Sequence, residues 1–371
     1  MNFTMLDRYL ESLLDFGLPM YDCTVHVGYR EVYRRRGGYI DVQSRRPHEA
    51  GTLYYLYSAT KPVTCAALLS LMEQGAFALS DPVSRFLPEF GQVRLRGNRP
   101  VPTPITMEHL FTMTAGLNYD LETQAVQRAA AGGAAPTREI VRAIAETPLS
   151  FSPGERWQYS LCHDVLCAVA EVITGEKFRD FVRRVIFDPL GMKDSFYGIP
   201  GPAENARMAS LYRYSDESRT SRQIGRGCTF ILGKEHDSGG AGMVSSAEDY
   251  ILFADALAGG GTGATGARIL APETVELMRK NRLTPAAARS MDWPHLRGYG
   301  YGLGVRTMMD PAAVGAKSPV GEFGWGGAAG AILIVEPASR MAVYYAQHTL
   351  NPHHDKVLPE LRDTVFACLA Q

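Results

Sequence analysis

The chain has 371 residues, a length that indicates one large domain or two closely joined parts. Hydrophobic residues make up 46% and charged residues 21% of the sequence, which is typical of a globular protein with a sizeable core. The formal net charge is −1 and no basic stripe runs along the chain, so nucleic acid is excluded as a partner.

The N-terminal segment is predicted to form an amphipathic helix that ends near Phe16. This segment lacks the basic region followed by an apolar core that is typical of a signal peptide, so we predict no signal peptide. No apolar run in the chain is long enough to cross a membrane, so we predict no membrane partner. A cytoplasmic location follows from these predictions. The six cysteines show no C-x-x-C spacing and are predicted to be buried free thiols.

Strand patterns lie at the two ends of the chain, and the pattern between about 80 and 225 is mostly helical with long loops. The predicted strands are 22–28, 30–35, 53–57, 301–307, 331–336 and 341–348. The main predicted helices are 62–74, 106–113, 138–146, 163–173, 178–186, 245–257, 272–281 and 354–369, and a flexible loop is predicted over 129–135. The simplest packing is one sheet built from the N- and C-terminal segments, with a helical region inserted between its strands.

Ser58-Ala59-Thr60-Lys61 stands between a strand pattern and the helical pattern that begins at Pro62. The spacing of three residues is close to one helical turn, which places Ser58 and Lys61 on one face. A serine hydroxyl is a weak nucleophile until a base takes its proton, and a lysine in a partly dry pocket can lose its charge and become that base. The pattern alone also fits an ordinary helix start, so its companions decide between the two interpretations.

Two later segments could complete a site around Ser58. Tyr159 follows a Pro-Gly turn at the mouth of a predicted helix, and a buried tyrosine beside a lysine can pass protons to and from a serine. The small residues of Trp325-Gly326-Gly327-Ala328 let a backbone come close to a substrate carbonyl, where two N–H groups would stabilise an oxyanion. Taken singly, these segments also fit a half-buried tyrosine and a glycine-rich strand edge.

In this order, Ser58-x-x-Lys61, Tyr159-Ser160 and Trp325-Gly326-Gly327 resemble the serine β-lactamase-related and penicillin-binding-protein-like family, most closely its class C-like branch with the family VIII carboxylesterases. Blocks at 81–83, 87–90, 105–117 and 240–249 resemble other segments of that family.

The resemblance implies an α/β fold of the β-lactamase/DD-peptidase type. Such a fold has an antiparallel sheet from the N- and C-terminal segments, flanking helices and an inserted, mostly helical region. The implied organisation is one catalytic domain over 1–371. Its α/β part would lie at about 1–60 and 226–371, and its helical part at about 61–225.

Carried over position by position, the resemblance also implies roles for the residues of the site. Ser58 would be the acylated nucleophile, Lys61 its base or proton relay, and Tyr159 the second acid/base group. The backbone N–H groups of Ser58 and Ala328 would form the oxyanion hole. The strand beside the substrate would comprise Trp325, Gly326 and Gly327. Which of Lys61 and Tyr159 takes the first proton stays open, because strongly coupled groups titrate as a unit.

Two departures from the family pattern bear on the substrate. Leu161 stands where the Tyr-x-Asn motif keeps an asparagine, and Trp325 and Gly326 replace the cation and hydroxyl that would grip a substrate carboxylate. Both departures point away from β-lactam or D-Ala-D-Ala recognition and suit a neutral ester with an apolar group. Asp164 could supply a lost polar contact, although a surface helix charge is the preferred interpretation. The candidates for an aromatic pocket wall, which core packing would also explain, are Tyr119, Trp293, Tyr299 and Tyr301.

Two other motifs predict neither a metal nor a cofactor. His348, His353 and His354 cluster near the C-terminus, where a solvent-facing turn is preferred to a metal site. The glycine-rich run 259–263 follows a helix and lacks a Gly-Lys-Ser/Thr ending, so it predicts a flexible linker. The expected partner is a small-molecule ester or amide substrate, and the oligomeric state is not predicted.

The first hypothesis for function is a serine hydrolase that acts through an acyl-enzyme intermediate on small carboxylic esters. The alternatives are a D-amino-acid peptidase or weak β-lactamase, an acyltransferase that moves the acyl group to an alcohol, and a non-catalytic binding protein. The sequence does not name the physiological substrate.

Overall fold

The computed structural model describes residues 1–225 and 227–370. The α-helices are α1 Thr4–Phe16, α2 Thr60–Glu73, α3 Met107–Phe111, α4 Gln124–Ala130, α5 Thr137–Ala145, α6 Cys162–Thr174, α7 Phe178–Val182, α8 Asp188–Leu190, α9 Pro202–Arg207, α10 Ala247–Ala258, α11 Pro272–Arg279, α12 Pro285–Ala288 and α13 His354–Leu369. The strands are β1 Met20–Val27, β2 Arg30–Asp41, β3 Arg46–Pro47, β4 Leu53–Tyr55, β5 Phe196–Tyr197, β6 Leu211–Ser215, β7 Thr220–Gly225, β8 Met243–Ser246, β9 Tyr299–Tyr301, β10 Arg306–Met308, β11 Phe323–Gly324, β12 Ile332–Glu336, β13 Met341–Ala346 and β14 Thr349–Leu350. Within the described residues, none of the helices combines the length and the hydropathy that a membrane span requires.

An eight-stranded sheet forms the centre of the fold, in the order β3-β2-β1-β13-β12-β11-β10-β9. Its neighbouring strands run antiparallel. β1 pairs with β13, with Cys23 opposite Tyr345 and Val25 opposite Val343, so the two ends of the chain meet in the middle of the sheet. The prediction of an antiparallel sheet built from both terminal segments is confirmed.

The sheet separates two hydrophobic layers, because strand side chains alternate between its faces. On β13, Val343 and Tyr345 pack with α1 and α13 in a cluster that includes Leu361. Ala342 and Tyr344 face the other way, into a core that also contains residues of α2, α6 and α10. The helices between residues 60 and 190 therefore share one continuous core with the inner face of the sheet.

Three segments differ from the sequence prediction. Residues 211–225 form the β6–β7 hairpin within the region predicted to be mostly helical, and the alternate burial along β6 is the period of a strand. The strand predicted over 301–307 is two strands, β9 and β10, because the chain turns at Gly304, which has a φ of 85°. The loop predicted over 129–135 begins inside α4.

A buried ion pair joins β10 to the segment before β11. Arg306 and Glu322 are 1% and 0% exposed, and Arg306 Nη2 lies 3.2 Å from Glu322 Oε1. Glu322 Oε2 accepts a 2.7 Å hydrogen bond from the Tyr299 hydroxyl, and Arg306 Nη2 also lies 3.3 Å from Leu333 O. Charges so far from water are tolerated only with such partners.

We expect Glu322→Gln to lower the free energy of unfolding by about 3–5 kcal/mol, because the Arg306 guanidinium would stay buried without a negative partner. Urea unfolding followed by circular dichroism measures the change. Glu217→Gln, at an exposed turn, is the control and should change stability by less than about 0.5 kcal/mol. Equal stabilities of the two variants would contradict the importance of the pair.

Candidate active site

Ser58 lies in a tight turn between β4 and α2. β4 pairs with β8, and Leu56 N–H donates to Met243 O at 3.0 Å, so the start of the turn is anchored. Tyr57 has a φ of 48°, in the left-handed region that non-glycine residues seldom occupy. Its buried ring packs edge-on against Phe230, which holds this backbone conformation in place. The turn presents Ser58, which is half-buried, just before the start of α2.

Lys61 follows one turn later, and its side chain is completely buried. Its Nζ lies 3.2 Å from Ser58 Oγ, 3.2 Å from the Tyr119 hydroxyl and 2.7 Å from Gly240 O. The three contacts match the three N–H groups of an ammonium. They also match an amine that donates two N–H groups and turns its lone pair to Ser58. The arrangement can therefore take a proton from Ser58 and return it while the lysine stays in place.

Two stacked tyrosine rings cover Lys61. The Tyr119 and Tyr159 ring centres are 5.3 Å apart, and Lys61 Nζ lies 4.5 Å from the centre of the Tyr159 ring. The hydroxyl in contact with Lys61 is that of Tyr119. The Tyr159 hydroxyl accepts a 3.4 Å hydrogen bond from Trp325 Nε1, and Tyr159 lines the cleft beside Ser58.

The two phenols differ in what the sequence reveals about them. From the sequence, Tyr119 is only a candidate for the pocket wall, since nothing near it signals contact with a lysine 58 residues earlier. Burial raises the pKa of Tyr119 well above its usual value, and the nearby Tyr159 and Asp164 raise it further. Tyr119 is therefore a neutral phenol, which accepts a hydrogen bond from Lys61 and gives up its own proton with difficulty.

Asp164 is buried beside the same cluster, so its interpretation as a surface charge is wrong. Its side chain is 3% exposed, and Oδ1 accepts a 2.6 Å hydrogen bond from Ser238 Oγ. A Cβ on Gly240 would lie 2.7 Å from Asp164 Oδ2 and 3.4 Å from Lys61 Nζ, so only a glycine fits between the carboxylate and the amine. Burial raises the pKa of the Asp164 carboxyl, and the Ser238 hydroxyl and the Lys61 charge oppose that rise.

Leu161 brings only apolar surface to this region. It is 1% exposed at the start of α6, and its N–H donates to Asn118 O at 3.0 Å. No amide side chain reaches Lys61 from this position. Asp164, three residues later on α6, is a polar neighbour of the lysine instead, although its sequence context favours a surface charge.

The segment 325–328 lies directly against the turn of Ser58. A Cβ on Gly327 would be 2.0 Å from Leu56 O and 3.3 Å from Ala59 N, so only glycine allows this approach. Gly327 N–H donates to Ala331 O at 2.8 Å, which continues the strand pairing. Within the described part of the chain, Ala328 N–H has no hydrogen-bond acceptor, and Ala328 lines the same cleft as Ser58.

A cleft of about 370 Å³ opens at Ser58. Its lining residues are Ser58, Tyr159, Arg213, Trp293, His295, Leu296, Arg306, Trp325, Gly326, Gly327, Ala328, Ile332, Leu350, Asn351, Pro352, His354 and Leu358. Rings of Tyr159, Trp293 and Trp325 contact one another with centres 5.1 to 6.4 Å apart and form an aromatic wall. Trp293 therefore forms part of this wall. Tyr299 lies outside the cleft, because its hydroxyl is bound to Glu322 in the buried network.

The C-terminal histidines do not form the solvent-facing turn that the sequence predicts. His348 is 1% exposed and accepts a 3.1 Å hydrogen bond from Tyr55 N–H. His353 lies 3.1 Å from Asp216. His354 Nε2 lies 2.9 Å from Gly327 O, next to the turn of Ser58. The local sequence near the chain end gives no signal for these long-range contacts.

The chain matches the family model described as Beta-lactamase over residues 23–365. Protein Rv1367c of Mycobacterium tuberculosis is 32% identical over 330 residues, which cover 84% of this chain and 81% of that protein. Esterase EstB of Burkholderia gladioli is 32% identical over 362 residues, which cover 91% of this chain and 88% of EstB. Among solved structures, EstCE1, a hydrolase with promiscuous acyltransferase activity, has a TM-score of 0.83 at 25% identity, and the match covers 98% of this chain and 97% of EstCE1.

We expect Gly327→Ala to slow labelling of the protein by a fluorophosphonate probe about 100-fold, because the added methyl would push the strand away from the turn of Ser58. Gel fluorescence at several times gives the labelling rate. Gly132→Ala is the matched control, since a Cβ there meets nothing within 4 Å. Equal labelling rates in the two variants would show that the approach of Gly327 does not matter to the reactivity of Ser58.

Proposed function

This chain belongs to the beta-lactamase family and is a serine hydrolase, and we propose that it hydrolyses small carboxylic esters through an acyl-enzyme intermediate on Ser58. The observation that carries the proposal is the 3.2 Å contact between Ser58 Oγ and the buried Lys61 amine at a largely apolar cleft. The esterase EstB and the hydrolase EstCE1, which resemble the chain over nearly its whole length, support the proposal.

In the acylation step, Ser58 Oγ attacks the carbonyl carbon of the ester, and its proton passes to Lys61 Nζ. The amine keeps its contacts with Gly240 O and the Tyr119 hydroxyl and receives the proton from the direction of Ser58. Tyr119 is not the acceptor, because its raised pKa disfavours the phenolate that would be needed. The carbonyl oxygen becomes an oxyanion, which accepts hydrogen bonds from Ser58 N–H and Ala328 N–H.

The intermediate then collapses as the bond to the alcohol oxygen breaks. The Tyr159 hydroxyl lies in the wall of the cleft, so it donates its proton to the departing alkoxide. The Lys61 ammonium then reprotonates it, a transfer that requires Nζ to move from the face of the Tyr159 ring, 4.5 Å from its centre, to the hydroxyl. In deacylation, a water attacks the acyl carbonyl and gives its proton to Lys61. The bond to Ser58 Oγ breaks, the proton returns to Ser58, and the carboxylic acid leaves.

The walls of the cleft favour an ester with an apolar acyl or alcohol group. Trp293, Trp325 and Leu296 supply apolar surface, and the Arg306 guanidinium is already paired with Glu322. β-Lactams and D-Ala-D-Ala peptides carry a carboxylate. The positions of Leu161 and Trp325 offer neither the amide nor the cation with which related motifs bind such substrates.

Acyl transfer to an alcohol is the second candidate, because EstCE1 combines hydrolysis with promiscuous acyltransferase activity. An acyl-enzyme in an apolar cleft can be attacked by an alcohol in place of water, with the same proton transfers. Product analysis with butanol added to the ester separates the two outcomes. Butyl ester in excess of free acid would favour transfer, and free acid in excess would favour hydrolysis.

We expect Ser58→Ala to lower kcat for p-nitrophenyl butyrate about 10⁴-fold or more, because the nucleophilic oxygen is removed. Intact-mass spectrometry of the parent protein should show an added butyryl group, and the variant should show none. Ser70→Ala is the matched control: Ser70 lies on α2, the helix that follows Ser58, and its hydroxyl donates to Ala67 O, so full turnover is expected. Turnover or an adduct that persists in Ser58→Ala would refute the proposal, and nitrocefin turnover equal to ester turnover would favour the β-lactamase alternative.

We expect Tyr119→Phe and Tyr159→Phe to differ in their dependence on the leaving group. If Tyr159 protonates the alkoxide, Tyr159→Phe should lower kcat about 100-fold or more for ethyl butyrate, and far less for p-nitrophenyl butyrate, whose leaving group needs no acid. Tyr119→Phe removes one contact of Lys61 and should lower both rates by a similar factor, about 10-fold. Steady-state kinetics with the two esters checks this. A leaving-group effect confined to Tyr119→Phe would exchange the two roles.

A further inference from the structure

His354 is the first residue of α13, and its side chain reaches the segment beside Ser58. Its Nε2 lies 2.9 Å from Gly327 O, between residues that are 27 positions apart. Since a carbonyl oxygen can only accept a hydrogen bond, this contact requires the His354 tautomer that carries its hydrogen on Nε2. Burial lowers the pKa of His354 to about 4, and the nearby Arg306 charge acts in the same direction. The imidazole is therefore a neutral donor at neutral pH.

The carbonyl of Gly327 and the N–H of Ala328 belong to one peptide group. That group is planar and trans, so its C=O and N–H point in opposite directions and turn together. Gly330 N–H also donates to Gly327 O, at 2.7 Å, so both lone pairs of the oxygen are used. The two hydrogen bonds to Gly327 O fix the orientation of the peptide plane. They also polarise the Ala328 N–H at the other end of the peptide group.

The glycines of this segment explain why an outside contact is needed. Gly326 and Gly327 have no Cβ, so the backbone on the N-terminal side of Ala328 has unusual rotational freedom. A Cβ on Gly326 would lie 3.1 Å from His354 Cε1, and a Cβ on Gly327 would lie 2.0 Å from Leu56 O. One glycine thus leaves room for the imidazole, and the other allows the approach to the turn of Ser58.

Among the described residues, His354 Nε2 has one hydrogen-bond partner, Gly327 O. The His295 ring centre is 5.7 Å away, and burial lowers the pKa of His295 to about 3, so this neighbour is neutral as well. Arg306 is a cation whose charge is paired with Glu322. The Nε2–H of His354 is therefore committed to Gly327 O.

We propose that His354 is a positioning residue of the oxyanion hole, which holds the Gly327 carbonyl so that Ala328 N–H points at the developing oxyanion. This inference rests on the proposed function, since it requires an oxyanion formed at Ser58. His354 touches neither the nucleophile nor the oxyanion, and it acts through the peptide group between Gly327 and Ala328. The stabilisation appears mainly in the transition state, where the negative charge on oxygen develops.

The test compares His354→Phe, which keeps a ring and loses the donor, with His354→Gln, which keeps an N–H donor of similar reach. With p-nitrophenyl butyrate we expect His354→Phe to lower kcat about 10- to 100-fold while KM changes less than about threefold, and His354→Gln to retain kcat within about threefold. A kcat within about twofold of the parent in His354→Phe would overturn the proposal. So would equal losses in the two variants, because packing and not hydrogen bonding would then explain them.

A second readout separates the oxyanion hole from general damage to the site. A trifluoromethyl ketone adds to Ser58 as a hemiketal whose oxygen occupies the oxyanion hole, so its Ki should weaken in His354→Phe by the same factor as kcat/KM. The Ki of butyrate, a ground-state product, should stay within about twofold. An unchanged trifluoromethyl ketone Ki beside a lowered kcat/KM would overturn the role in the oxyanion hole.

If His354→Phe does not fold, His354→Ala supplies the same test through small-molecule rescue. Imidazole carries an N–H donor and should restore turnover, whereas 1-methylimidazole carries none and should not. Equal rescue by both would overturn the proposal.

Intact-mass spectrometry distinguishes a failure of the proposed function from a failure of the proposed role of His354. A parent protein without an adduct on Ser58 would remove the proposed function, while a normal adduct with unaffected kcat in the histidine variants would remove only the role of His354.

Discussion

The close approach of two backbone segments is the constraint on which the site depends. Gly327 lies so near the turn before Ser58 that any side chain would overlap Leu56 O. This contact places Ala328 and Ser58 at one cleft, and it requires both a strand end without side chains and a turn held in an unusual conformation at Tyr57. The sheet supplies the first, through the pairing of Gly327 with Ala331, and β4 and β8 supply the second.

Burial of the lysine is the second consequence of this architecture. Lys61 projects from α2 into a space closed by the rings of Tyr119 and Tyr159 and by the Gly240 carbonyl. Asp164 lies just beyond Gly240, so a carboxyl group and an amine share a region from which water is largely excluded. Where water is excluded, moving a proton by a short distance changes the interaction energy between charges strongly. Such a setting suits a group that must take up and release a proton in each catalytic cycle.

The cleft and the buried network are built from the same strands. Arg306 borders the cleft on one side and pairs with Glu322 on the other. Tyr299 lies outside the cleft, because its hydroxyl donates a hydrogen bond to Glu322. The aromatic wall is left to Trp293, Trp325 and Tyr159, which pack on one another. A largely apolar cleft of this kind suits the uncharged part of an ester.

The local elements and the order of the reactive groups along the chain could be predicted from the amino-acid pattern. The three-residue spacing places Ser58 and Lys61 on one turn, the terminal patterns yield the antiparallel sheet, and α13 begins and ends where its helical spacing predicts. Three contacts could not be predicted and depend on how the elements pack: the Tyr119 hydroxyl meets Lys61, Asp164 is buried beside it, and His354 reaches Gly327. The reason is physical: periodicity reports which face of an element is apolar, whereas these contacts join residues far apart in the chain, whose meeting depends on how the elements pack.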